Sequence, residues 1–359
     1  METELKGMNG VGSLPLLKSD TSKLETSIEE LDAKYAAFVR RDVYGVMGFG
    51  QIPLSERILL ILALLTIAPI RLLLSVMVIF FYYLICRVCT AFSTSNTDED
   101  ELQTLGWRRT VVVSSGKLCS RLILFIVGVY WVQEKHTDER EKGNEAKRAG
   151  VIVSNHVSYL DILYHMSSSF PSFVAKKSVS KLPLIGIISK CLGCVFVQRE
   201  SKTPNMKGVS EIVTQRVKDS HESTLSPTML LFPEGTTTNG NHLLPFKTGA
   251  FLAGVPVQPV ILRYPYNRFS PAWESISGVR HLMLLLCQFV NRIEVIRLPV
   301  YEPSKEEVGD AKLYAENVRK MMAREGGMGM SDVGLAEKRI YHAALNGLFS
   351  QISSSSDSF

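Results

Sequence analysis

The longest hydrophobic feature of the chain runs from 58 to 86, apolar at nearly every position and interrupted only by Pro69 and Arg71 near its middle. A single helix over this run would exceed the ~20 residues needed to cross a bilayer. Proline and arginine together cut it into two pieces, each short for a full span. The pattern predicts a membrane-embedded helical segment over residues 57–93. It is read first as a hairpin within one leaflet and alternatively as a tilted, kinked span carrying a costly Arg. Residues 1–26 show no apolar period and are read as disordered. Residues 27–50 are an amphipathic helix and linker: Ser27-x-x-Glu30 has the spacing of a capping box, and Ile28, Leu31, Tyr35, Phe38 and Val39 make one stripe.

Beyond 93 the period changes. Asp98-Glu99-Asp100-Glu101 is a solvated linker, 107–128 a core or interfacial helix, 129–133 a candidate strand and 134–149 a charged loop. From 150 onward short β-branched runs at 151–153, 172–175, 194–197, 229–232, 257–262 and 293–298 alternate with helical stretches, among them the stripe Val209, Ile212, Val213 and Val217. Closing helices are expected at 310–324 and 332–345, and the Ser-rich end, 350–359, as a disordered tail. The fold class is therefore α/β: a mixed sheet flanked by helices over 107–349, behind an N-terminal membrane-attached helical segment.

Composition supports attachment rather than full immersion. The 359 residues are 46% hydrophobic and 21% charged, with mean hydropathy +0.11. That is apolar for a soluble protein and too polar for a polytopic one. The net charge of +5 is spread along the chain without a dense basic patch, which argues against a nucleic-acid partner and favours lipid head groups or the phosphates of CoA. Cys86, Cys89, Cys119, Cys191, Cys194 and Cys287 all lie in or beside apolar stretches, as reduced buried thiols do. Cys191-x-x-Cys194 lacks a second pair, so no metal is expected. Cys86 and Cys89 close the apolar run and are candidates for palmitoylation. The acidic start Met1-Glu2-Thr3-Glu4 is no secretory signal, and the chain has no Asn-x-Ser/Thr sequon.

The chemistry gathers where strands end. Asn155-His156-Val157-Ser158-Tyr159-Leu160-Asp161 follows one strand and opens a helix. Positions five apart on a helix diverge by ~140°, so His156 and Asp161 can meet only if the His lies in the loop and the chain bends back. They would then be a general base and its orienting carboxylate. Alternatively, Ser158-x-x-Asp161 is a capping box in which Asp161 serves helical N–H groups. In Gly193-x-x-Phe196-x-x-Arg199 a tight turn leads into a strand that delivers an anion-binding Arg. Phe232-Pro233-Glu234-Gly235-Thr236-Thr237 ends another strand in a turn whose N–H and hydroxyl groups suit an anion. Val255-Pro256-Val257-Gln258-Pro259 brackets a strand with prolines, as at an edge or at a strand's first residues, and has no chemistry of its own. The chain has no Gly-x-Ser-x-Gly elbow, P-loop or HExxH.

In order and spacing these four blocks resemble those of the glycerolipid acyltransferases, and over most of its length the chain is similar to the plant lysophosphatidylethanolamine acyltransferases. The resemblance implies transfer of a fatty acyl group from acyl-CoA to the free hydroxyl of a lysophospholipid, lysophosphatidylethanolamine first and lysophosphatidylcholine next. It implies His156 as base and Asp161 as its partner. Asn155, Gly193, Phe196, Arg199, Glu234, Gly235, Thr236 and Thr237 would form the acceptor site, with Val255, Pro256 and Pro259 as the fourth motif. Acyl-CoA would be a co-substrate, with no cofactor and no metal, and the partners a lipid bilayer, acyl-CoA and lysophospholipid. The setting would be a membrane such as the endoplasmic reticulum. Many lysophosphatidic acid acyltransferases have Arg after Glu-Gly-Thr. Thr237 here suits a phosphodiester better than a doubly charged monoester. The alternatives are acylation of glycerol-3-phosphate or lysophosphatidic acid and, from another class, a non-catalytic lipid-binding membrane protein.

Overall fold

A computed structural model describes residues 30–91, 106–136, 148–197, 205–223 and 226–356. Its centre is a seven-stranded sheet in the order β1-β8-β7-β2-β5-β3-β4. The strands are β1 (Val132–His136), β2 (Val151–Ser154), β3 (Ser172–Lys176), β4 (Val195–Val197), β5 (Met229–Leu231), β7 (Val257–Arg263) and β8 (Ile293–Arg297); a short β6 (His242–Leu243) pairs instead with β9 (Gly329–Met330). All pairings in the large sheet are parallel except β7 with β8, so the sheet is mixed. Each strand expected from 150 onward is present to within a residue or two. The first lies later than expected: β1 begins at Val132 and takes three residues, Glu134 to His136, from the stretch read as a charged loop.

Strand β2 is buried along its whole length because helices cover both faces. Val151 and Val153 point to one core with Val217, Met229, Tyr314 and Val318, whereas Ile152 points to the other with Leu124, Leu160 and Leu230. This is the alternation a strand imposes. On the first face lie α6 (Asn205–Glu222) and α9 (Ala311–Gly326), the latter preceded by the short α8 (Lys305–Gly309); on the second lie α2 (Ile67–Thr90), α3 (Trp107–Ile126), α4 (Leu160–Ser168), α5 (Ile185–Cys191) and α7 (Gly278–Leu286). The prolines near 257 imply an edge or the beginning of a strand, and the second holds: Pro256 immediately precedes β7 and Pro259 is its third residue, while β7 itself is interior, between β2 and β8. Pro259 faces Val153, and the antiparallel ladder with β8 starts one residue later at Val260, beyond the missing N–H.

The apolar run divides at Thr66, between α1 (Leu54–Leu65) and α2, rather than at Pro69. Pro69 lies in the first turn of α2, where a missing N–H forfeits no helical bond. Helix α2 has 24 residues with hydropathy 2.3 over its most apolar window, long and apolar enough to cross a membrane. Arg71 is buried against protein. Its guanidinium donates to the carbonyls of Leu286 (3.0 Å), Phe289 (3.1 Å) and Gln288, and to the Tyr130 hydroxyl (3.2 Å), so it closes the C-terminal end of α7, where positive charge is favoured. Arg71→Met leaves these carbonyls without their donor and is expected to cost roughly 2–4 kcal/mol. The reading is a fall in melting temperature in detergent; an unchanged value would count against the clamp.

Three further expectations change. The stripe from Leu31 to Val39 packs on the domain, against Leu244, Tyr341 and Leu345, but its helix gives way to a 3-10 turn at Ala36–Phe38; Ser27 and Ile28 lie outside the described residues, as do 98–101. Helix α10 (Leu335–Ser356) continues through most of the presumed tail, since nothing after Gly347 interrupts it with Gly or Pro. All six cysteines are free and buried. Cys86 and Cys89 turn inward, 0% and 3% exposed, without the surface access that palmitoylation needs.

Candidate active site

The loop between β2 and α4 is held on three sides. The side chain of Asn155 pairs with the backbone of Leu262 on β7, donating to its carbonyl (2.9 Å) and accepting from its N–H (2.7 Å). The His156 N–H donates to Glu234 Oε1 (2.9 Å), and its carbonyl accepts from the Thr238 N–H (2.9 Å). Trp273 N–H donates to the Val157 carbonyl at 2.8 Å. Loop, turn and neighbouring strand thereby fix the backbone on which His156 is carried.

The chain does bend back. His156 Nδ1 lies 2.8 Å from Asp161 Oδ2, and the same oxygen accepts from the N–H groups of Val157 (2.7 Å) and Ser158 (3.0 Å). One carboxylate oxygen thus serves both the imidazole and two amides that precede the helix, but the capping box does not form: the helix is capped at Tyr159 without a side-chain bond, and the Asp161 N–H donates to the Ser158 carbonyl (3.2 Å) instead of its hydroxyl. Asp161 Oδ1 accepts from the Tyr264 hydroxyl. Burial and the adjacent carboxylate hold that phenol well above its ordinary range, so it remains a donor. Asp161 is wholly buried, whereas the His156 side chain is 20% exposed. The Phe232 ring stacks on the imidazole at 4.1 Å and 14°. With Nδ1 engaged by the carboxylate, Nε2 is left as the basic nitrogen.

Glu234 joins the turn to the loop. Its other oxygen accepts from the Leu244 N–H (3.0 Å), and burial pushes its carboxyl up to about 8, against the pull of the two amide donors. Gly235 has φ +71°, and a Cβ there would come within 2.3 Å of Lys247 Nζ. Gly235→Ala is expected to strain the backbone by ~1–2 kcal/mol and displace Lys247. It should lower the melting temperature; an unchanged value would count against this strain.

Thr236 and Thr237 line a cavity of about 1130 Å³. It joins apolar residues of α2 and α3 (Ile79, Tyr82, Ile123) to His156, Phe232 and the polar residues Lys247, Lys338 and His342. At Thr237, where an Arg is absent from the motif, a cation arrives from elsewhere. Lys338 of α10 donates to the Thr237 carbonyl (2.7 Å), to its hydroxyl (2.9 Å) and to the Trp273 carbonyl (3.4 Å). Burial pulls Lys338 down to about 8, opposed by Glu274 and Glu234. Neither Lys338 nor Tyr264 belongs to a sequence block. Only Tyr264 had a signal, its place just past the end of β7.

The remaining candidates lie apart. Gly193 (φ +70°) turns the chain toward β4, and Phe196 packs from β4 onto the core; β5 and β3 separate that strand from β2. Arg199 lies outside the described residues. The Pro256 carbonyl accepts from the Gly150 N–H (2.9 Å) and the Val255 carbonyl from the Tyr314 hydroxyl (2.9 Å). With Pro259 opposite Val153, the fourth motif braces the start of β2 rather than lining the cavity. Among the described residues no group of three or more His, Cys, Asp or Glu side chains is arranged to hold a metal.

Residues 133–263 match the family model described as Acyltransferase. The chain is 55% identical to the lysophospholipid acyltransferase LPEAT1 of Arabidopsis thaliana across 98% of both chains. It is 37% identical to a lysophosphatidylcholine acyltransferase of Drosophila melanogaster over 63% of this chain and 41% of that one. With lysophosphatidylcholine acyltransferase 1 of Danio rerio it shares 32% over 86% of this chain and 57% of the other. Among solved structures, the 1-acyl-sn-glycerophosphate acyltransferase PlsC of Thermotoga maritima matches with TM-score 0.42 and 19% identity, over 71% of this chain and 97% of that chain. At the identity and two-sided coverage of the Arabidopsis relative, the chain belongs to the lysophospholipid acyltransferase family.

Proposed function

We propose that this enzyme transfers a fatty acyl group from acyl-CoA to the free hydroxyl of a lysophospholipid, with lysophosphatidylethanolamine the preferred acceptor and lysophosphatidylcholine the next. The observation that carries the reading is the His156–Asp161 pair, at 2.8 Å, set in the wall of a largely apolar cavity. A thioester is already activated, so the enzyme needs no nucleophile of its own. His156 Nε2 takes the proton of the acceptor hydroxyl as its oxygen attacks the thioester carbonyl. The C–S bond breaks as the tetrahedral intermediate collapses, and the proton on His156 passes to the departing CoA sulfur. Asp161 holds the imidazole through Nδ1 and balances its positive charge while it carries that proton.

A bilayer is the setting this reading needs, because the acceptor resides there. Helix α2 presents Leu73, Met77, Phe80 and Phe81 outward, and α3 presents Leu118 and Phe125, an exposed apolar surface of the kind that enters a membrane. The endoplasmic reticulum is the membrane this reading assigns to the enzyme. Purified protein supplied with labelled acyl-CoA and a panel of lysophospholipids, lysophosphatidic acid and glycerol-3-phosphate tests the proposal. Labelled diacyl product from the zwitterionic lysolipids supports it. Product from the two phosphate monoesters alone contradicts the acceptor class, and free fatty acid in place of diacyl lipid contradicts acyl transfer.

A further inference from the structure

Three buried polar atoms on residues lining the cavity have no hydrogen-bond partner in the protein: Glu274 Oε2, Ser275 Oγ and the Tyr159 hydroxyl. Buried polar atoms are nearly always paired, so three unpaired ones around one cavity mark a place shaped for a polar guest. They are neighbours: Ser275 follows Glu274, and the Tyr159 ring lies 6.1 Å from that of Trp273, the residue before Glu274.

Charge indicates the sign of the guest. Arg40 is a guanidinium shared by two carboxylates, 2.5 Å from Asp42 and 2.8 Å from Glu274 Oε1. Glu274 is only 3% exposed; burial raises its carboxyl while Arg40 on Oε1 pulls it down, and Oε2 is left without a hydrogen-bond partner. Beside it stands a cation, since Lys338 reaches the carbonyls of Thr237 and Trp273. A negative acceptor set next to an ammonium matches a zwitterion.

We propose that Glu274, with Tyr159 and Ser275, forms the subsite for the primary ammonium of an ethanolamine head group, and that Lys338, its three N–H groups engaged by Thr237 and Trp273, attracts the adjoining phosphate by its charge. This rests on the acceptor reading given above. A primary ammonium offers three N–H donors to three unpaired oxygens. A trimethylammonium offers none and leaves all three buried and unpaired. The subsite thus discriminates by hydrogen bonding rather than by size.

Glu274→Gln, Tyr159→Phe and Ser275→Ala, each assayed with lysophosphatidylethanolamine and lysophosphatidylcholine of one acyl chain, test the assignment. The ratio of kcat/KM for ethanolamine over choline acceptor is expected to fall about tenfold in Glu274→Gln, the scale of one charge-assisted hydrogen bond. It should fall a few-fold in the other two, with the change in KM for the ethanolamine lipid. Tyr159→Phe and Ser275→Ala remove only atoms without protein partners, so they keep the test decisive if Glu274→Gln fails to fold. Both acceptors lost in parallel, or an unchanged ratio, overturns the subsite. A wild-type enzyme that acylates both lipids with a ratio indifferent to all variants overturns this inference alone. One that acylates neither removes the acceptor reading and this inference together.

Discussion

His156→Ala is expected to lower acyl transfer by ~10²–10⁴-fold, the usual contribution of a positioned general base, while the protein stays folded. The backbone bonds that hold this residue, to Glu234 and Thr238, are available to alanine as well. Asp161 keeps three of its four donors, the N–H groups of Val157 and Ser158 and the Tyr264 hydroxyl. What disappears is the imidazole itself and its stacking on Phe232. Loss of diacyl product with an unchanged circular dichroism spectrum and melting curve is the expected result. Full activity would remove His156 from the chemistry.

Asp161→Asn separates the two tasks of the carboxylate. An asparagine can aim its carbonyl oxygen at the Val157 and Ser158 amides and its NH₂ at Tyr264, whose oxygen can accept. The helix start therefore survives. The negative charge that balances a protonated His156 does not. We expect kcat to fall by about 10²-fold or more with KM for acyl-CoA little changed, and a melting temperature within a few degrees of wild type. If Asp161 served only the amides before α4, the same variant would be as active as it is stable. The split between kcat and stability decides between these roles.

The legible and illegible parts of the chain differ in physical kind. Strands β2, β5 and β7 are short apolar runs bounded by turn residues, and the sheet buries them on both faces, so composition alone marks them. The His156–Asp161 contact was readable as a condition, a loop that turns back, because helical geometry excludes any other way for the two to meet. Lys338 and Glu274 were not readable. They belong to no local motif and reach the cavity only because α10 and the loop before α7 fold over the turn at 232–238. Arg71 was misleading in a similar way. In sequence it is a charge in an apolar run, whereas in space its partners are carbonyls more than two hundred residues away. The prolines of β7 suggest an edge or a strand's first residues, because proline lacks a ladder donor, and they do stand at its first residues. The strand tolerates them inside the sheet because its pairing with β8 begins beyond Pro259.

The most direct test of the central claim is a product assay on purified protein in lipid vesicles, with acyl-CoA labelled in the acyl chain and lysophosphatidylethanolamine as acceptor, run for wild type and His156→Ala side by side. The account predicts labelled diacylphosphatidylethanolamine from the wild type, with one CoA released per product, and almost none from the variant. Equal transfer by both proteins, or labelled free fatty acid as the wild type's only product, would contradict it.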